Sequence, residues 1–144
     1  MEYFHRGYNC SQSVMLTFCD IIGLDEETAL KTASGLGGGM GRMREVCGCV
    51  SAMAAVSGFL IPATDPEDKI ARKENYALVQ NLAGRFKEKN GSIVCRELLK
   101  LRVEGWQNPE PSARSEEYYA ARPCERLVGD AAEILAACLA DRRL

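Results

Sequence analysis

The sequence predicts an all-α fold, a single-domain helical bundle of about five to six helices over residues 1–144. Three observations predict it. Apolar residues recur at alternating spacings of three and four, helix-start and helix-stop residues punctuate those segments, and no run of alternating β-branched residues appears. With 47% hydrophobic and 26% charged residues, a chain of this length can bury one core without disulfide staples.

From Asn9 to Ile22 the pattern places Cys10, Val14, Phe18 and Ile21 on one helical face, with Met15, Cys19 and Ile22 beside them. Asn9 caps this helix and Gly23 stops it. Asp25 followed by Glu26 and Glu27 opens a second helix, which carries Ala29, Leu30 and Ala33 inward before Gly35. Residues Gly35-Leu36-Gly37-Gly38-Gly39-Met40-Gly41 can adopt positive φ and predict a turn. A third helix runs from about Glu45 to Leu60.

Asp65-Pro66-Glu67-Asp68 supplies a cap, a proline at the first helical position and first-turn acids, and so starts the longest helix. Its inward face is Tyr76, Val79, Ala83 and Phe86, and Asn90-Gly91 ends it. Ser92 caps a further helix ending near Leu101. Gly105, Asn108-Pro109 and Pro111 break periodicity across 102–122, the expected long connection, from which Trp106, Tyr118 and Tyr119 cover the core. The last helix opens at Pro123, buries Leu127, Ala131, Ile134 and Cys138, and ends in Asp141-Arg142-Arg143-Leu144.

A net charge of −2 leaves no broad cationic field for phosphates, so nucleic acid is not an expected partner. No apolar run reaches the roughly 20 residues that span a bilayer, and the start Met1-Glu2-Tyr3-Phe4-His5 lacks the pattern of a secretory signal. The expectation is a cytoplasmic protein without membrane insertion. The glycine-rich stretch fits neither dinucleotide nor P-loop spacing and follows no strand, so it reads as a turn that lets helices pack closely. His5, the only histidine, reads as a surface residue.

The chemistry lies in seven cysteines, at positions 10, 19, 47, 49, 95, 124 and 138. An odd number in a reducing compartment argues against a disulfide framework. Cys10 follows its cap, Cys95 comes three residues after Ser92, Cys124 follows Pro123, and Cys47 lies near a helix start. There the free N–H groups and the positive end of the helix dipole favour a thiolate, with Arg44, Arg122 and Arg126 adding charge. Cys19 and Cys138 fall on apolar faces and read as core. Cys49 is turned roughly 200° from Cys47 on a regular helix and need not share its site. In an antiparallel bundle alternate helices start at one end, so Cys10, Cys47 and Cys95 can gather there, with the long connection returning Cys124.

Gly7-Tyr8-Asn9-Cys10-Ser11-Gln12, the glycine stretch through Arg42, Glu45-Val46-Cys47-Gly48 and Gly91-Ser92-Ile93-Val94-Cys95-Arg96-Glu97-Leu98 together resemble the redox-active family named for its C-GCAxxG-C-C cysteine pattern. The resemblance covers essentially the whole chain, and its four cysteines fall on Cys10, Cys47, Cys95 and Cys124. Its central stretch falls on Cys47-Gly48-Cys49-Val50-Ser51-Ala52, with Cys49 in place of an alanine and Ala52 in place of the last glycine. A similar block beside haem domains in split-Soret-type cytochromes implies an iron–sulfur cluster, although no C-x-x-C-H haem motif is present here.

Two mechanisms for Cys10, Cys47, Cys95 and Cys124 stand open. In one they are catalytic: a thiolate attacks a disulfide or other oxidant and a second cysteine resolves it, serving a redox partner protein or a small-molecule oxidant. In the other the same four are metal ligands, holding a [2Fe–2S] cluster for electron transfer or a zinc ion at about 2.3 Å from each sulfur. The rival reading is a non-catalytic interaction module, a homo-oligomer or an accessory of a membrane or redox system, whose cysteines only pack. Four cysteines allow three pairings, and spacing does not choose among them.

Overall fold

The computed structural model describes residues 1–102 and 104–142, which form helices, turns and one isolated β-bridge. Among the described residues the fold is all-α. Its eight helices, five of them seven residues or longer, are α1 (Glu2–His5), α2 (Cys10–Phe18), α3 (Glu26–Ala33), α4 (Gly48–Leu60), α5 (Lys69–Asn90), α6 (Cys95–Leu98), α7 (Glu116–Ala121) and α8 (Cys124–Arg142). Residues 37–40 close like a helical turn, but Gly38 and Gly39 have φ of 65° and 68°, which makes the segment a left-handed glycine turn. No helix among the described residues is long and apolar enough to cross a membrane.

Four helices make the core. α2 packs against α3, α4 and α8, α4 against α5, and α5 and α8 close the remaining side. Val14, Met15 and Phe18 of α2 meet Met53 and Val56 of α4, Leu82 and Phe86 of α5, and Leu127, Ala131 and Leu135 of α8. Each of the larger side chains contributes about 1.5–3 kcal/mol by burial, which outweighs any local propensity in holding the helices together.

The caps explain where the helices begin. Asn9 forms a reciprocal capping box with Gln12, accepting from its backbone N–H at 2.8 Å while the Gln12 amide oxygen accepts from the Asn9 N–H at 3.2 Å. The longest helix starts at Lys69, not at Pro66: Asp68 accepts from the N–H of Ala71, while Asp65 turns back on the N–H of Glu67 and leaves Pro66 in the preceding turn. Its buried stripe is Leu78, Leu82 and Phe86, and Tyr76 is 60% exposed. The aliphatic i, i+4 series takes the core, and the phenol stays in water.

Other boundaries move for similar reasons. α2 ends at Phe18, and a turn places Ile21 in solvent at 51% exposure. α4 begins at Gly48 because Glu45 and Val46 are extended, Val46 bridging antiparallel to Val94. Ser92 accepts from the N–H of Val94 in a turn, so α6 starts only at Cys95 and ends at Leu98. α8 opens at Cys124, one residue after Pro123, and buries Leu127, Ala131, Ile134 and Cys138 as the periodicity predicts. The basic end at Arg143 and Leu144 lies outside the described residues, as does Val103 of the connection.

The stretch 102–122 is not featureless. Ser115 caps α7 through the N–H of Tyr118, and Phe4 of α1 packs edge-on against Tyr119 at 5.8 Å. Tyr118 and Tyr119 cover the core as expected. Trp106, at 78% exposure, does not.

Candidate functional site

Four chain segments deliver cysteine to one end of the bundle. Cys10, Cys95 and Cys124 are the first residues of α2, α6 and α8, and Cys47 is the N-cap of α4. The β-bridge sets two of them in register: the Cys47 N–H donates to Ile93 O at 2.8 Å and the Cys95 N–H to Glu45 O at 2.6 Å. Each follows its bridge residue by one position, so both side chains leave the same face of the pair. All four, together with Cys49, line a cavity of about 60 Å³ closed by Phe4, Tyr118 and Leu127. Cys10 and Cys124 keep part of their surface open, while Cys47, Cys49 and Cys95 are buried.

Two glycines make this approach possible. A Cβ at Gly48 would lie 2.5 Å from Cys10 Sγ and 2.9 Å from Leu36 O, so only glycine allows the Cys10 sulfur to rest on the start of α4. At Gly39 a Cβ would meet that of Cys95 at 2.6 Å, and the residue also has φ of 68°. Met40, Arg42 and Arg44 share the left-handed region, at 66°, 63° and 60°. Donations from Arg44 N to Gly38 O and from Glu45 N to Gly39 O hold the segment in this conformation, at 3.1 and 2.9 Å.

The thiols are not equivalent. Cys10 is lowered to about 6, chiefly by the hydrogen bond that the Cys49 thiol donates to it; burial opposes this, and the N–H groups of Gly38, Ser11 and Cys10 itself support it. Cys49 is correspondingly pushed well above its ordinary value by its hydrogen bonds with Cys10 and Cys47 and by burial. Burial pushes Cys124 up to about 12, reinforced by the charge of Cys10. Burial also raises Cys95, outweighing the Arg44 guanidinium 3.7 Å from its sulfur. The helix-terminus argument, applied alike to all four cysteines, therefore fails for Cys95 and Cys124, where desolvation exceeds the favourable field of the helix start.

Sequence reasoning left Cys49 outside the site, and the structure brings it in. The count of 100° per residue holds only within a regular helix, whereas Cys47 has φ −53° and ψ 132°. With Cys47 outside the helix, Cys49 lines the same cavity as Cys10 and Cys47. The Cys47-Gly48-Cys49 spacing carried that signal once Cys47 is read as a cap. Cys19 and Cys138 are buried in the core away from the cavity, and the Cys19 thiol donates to Leu16 O at 3.3 Å. Arg126, expected to add charge near the thiols, instead pairs with Asp130 at 3.3 Å. His5 is a surface residue paired with Glu125 at 2.8 Å.

Among the described residues no group of three or more Cys, His, Asp or Glu side chains is arranged to hold a metal ion. The cysteines that line the cavity thus do not form a ready-made four-thiolate set for the iron–sulfur or zinc centre raised by the sequence. No curated protein and no solved structure shows a significant match to this chain. A family model described as "Putative redox-active protein (C_GCAxxG_C_C)" matches residues 8–138, a span that holds all seven cysteines and both glycines on which the cavity depends. The chain belongs to that family of four-cysteine proteins.

Proposed function

We propose that this protein carries out thiol–disulfide redox chemistry, with Cys10 as the attacking thiolate and Cys49 as the thiol that closes the disulfide. The observation that carries the reading is that Cys10, a cysteine at a helix N-terminus with its pKa lowered to about 6, lines the same small cavity as the buried Cys49 thiol. A low-pKa exposed thiol beside a resolving thiol is what rapid exchange requires.

The steps balance. The Cys10 thiolate attacks one sulfur of a disulfide, forms a mixed disulfide and releases the first substrate thiolate. Cys49 gives its proton to that thiolate, attacks Cys10 Sγ and releases the second substrate thiolate. Two protein thiols are oxidised to one disulfide and one substrate disulfide is reduced to two thiols; a redox partner runs the cycle in either direction.

Oxidation of reduced protein with a small disulfide, followed by peptide mapping, tests this. The expected product is a Cys10–Cys49 bond that dithiothreitol reverses, absent in Cys10→Ser and replaced by a persistent mixed disulfide in Cys49→Ser. An oxidised protein whose bridge excludes Cys10, or stoichiometric metal retained on its thiols after anaerobic purification, overturns the reading.

A further inference from the structure

Beside the cysteine cavity lies a second, wider cleft of about 310 Å³, and the two share Asn9, Gly38, Arg114 and Tyr118 as walls. Three arginines, Arg42, Arg114 and Arg122, line it. A fourth, Arg44, stands behind them at 3% exposure, with its guanidinium on Cys95 Sγ and on Gln107 Oε1.

None of these four forms an ion pair among the described residues, although basic side chains elsewhere do: Lys89 with Asp130 and Glu133, Arg96 with Glu45, Arg126 with Asp130. Arg42 and Arg122 instead donate to one hydroxyl, that of Ser112, at 3.1 and 3.4 Å. Arg42 Nε is buried with no partner at all. Glu110 is the acid within electrostatic range of Arg42, and it makes no ion pair with it. Burial and the neighbouring Arg44 and Arg122 charges lower Arg42, as expected of cations gathered without an anion.

Guanidiniums remain charged in proteins, so in a molecule of net charge −2 these arginines concentrate positive charge beside the cysteine cavity. Arg114 spends its donors on Phe4 O and Tyr8 O, at 3.0 and 3.1 Å, and stacks over Phe4, supplying charge rather than contacts. Arg42 and Arg122 keep donors for a ligand.

We propose that the cleft between Arg42, Arg114 and Arg122 is a binding site for the carboxylate of a small disulfide substrate, which it holds with a sulfur toward Cys10. The inference rests on the thiol reading above and adds the substrate's charge to it. Fork-shaped guanidiniums suit a planar carboxylate, and the shared walls put the anion one cleft away from the attacking sulfur.

Three disulfides of similar size test it: dithiodipropionate (anionic), bis(hydroxyethyl) disulfide (neutral) and cystamine (cationic), each scored by the rate of Cys10 mixed-disulfide formation at low salt. The expected result is that dithiodipropionate reacts roughly tenfold faster than the neutral compound and faster still than cystamine. In Arg42→Gln/Arg122→Gln the anionic-to-neutral ratio falls to about one, and Arg42→Lys retains the preference. The ratio is taken within each variant, so a general loss of reactivity cancels; should the double variant fail to fold, Arg122→Gln alone carries the test.

Suberate, the carbon isostere of dithiodipropionate, reads the site without chemistry: it raises the melting temperature of the wild type and not of the double variant. Equal rates for the three disulfides, or a suberate shift that persists in the variant, overturns the proposal and leaves the arginines as clamps on the 107–114 strap. Failure to react with every disulfide sinks the thiol reading alone, and the suberate shift then still decides the cleft.

Discussion

Cys10 shows how one side chain acquires chemistry from its surroundings. Its sequence position, first after a capping asparagine, supplies backbone donors; the thiol of Cys49 supplies the largest stabilisation of its negative charge. Alkylation by iodoacetamide, followed site by site with mass spectrometry, is therefore expected to rise with pH at Cys10 with a midpoint at about 6. Cys124, which burial pushes up to about 12, stays unmodified through neutral pH although part of its surface is open. A Cys10 midpoint at the ordinary value of about 9 removes it as the nucleophile. The residue type and its place were legible from the Asn9-Cys10 pair, but the partner was not, because Cys49 lies 39 positions away by the sequence numbering and nothing local links the two.

At the scale of the element, α2 is the part of the molecule most open to a sequence reading. Its cap is written in Asn9 and Gln12, and the Asn9 amide also donates to Ser34 O at 3.1 Å, tying the helix start to the chain entering the glycine turn. Asn9→Ala is expected to cost about 1 kcal/mol, a fall in melting temperature of roughly 2–4 °C for a chain of this size. It should also slow Cys10 alkylation at neutral pH, since the same cap orients the N–H groups that face the sulfur. An unchanged melting temperature in differential scanning calorimetry sinks this account of the cap. The elements that sequence reasoning missed, α1 and α7, are four and six residues long and exist by packing on each other through Phe4, Tyr118 and Tyr119. Helices that short have no periodicity to read and no stability of their own.

The whole molecule holds several thiols in a protonated state that unfolding would release. For Cys49, Cys95 and Cys124 the folded pKa lies above the ordinary 9 of an exposed chain, so between about 9 and the folded values the native state binds more protons than the unfolded one. Their contribution is fully present below about 9 and is lost as pH rises through the folded pKa. Cys10 has the opposite sign: its contribution is present above 9 and is lost as pH falls through about 6. Urea midpoints measured under reductant should thus decline above about pH 9, and less steeply in Cys124→Ala; an equal slope in the two proteins refutes the assignment. By itself the sequence determined the all-α class, the starts of α2 and α3, a glycine turn at residues 35–41 and the placing of four cysteines in or near first turns, because caps, periodicity and glycine's backbone freedom act within a few residues. Only the tertiary structure decided that Cys49 lines the same cavity, that hydrogen bonding lowers Cys10 while burial raises Cys95 and Cys124, and that three arginines share a cleft beside it. Desolvation and through-space charge depend on what distant segments bring to one place, and spacing along the chain does not carry that.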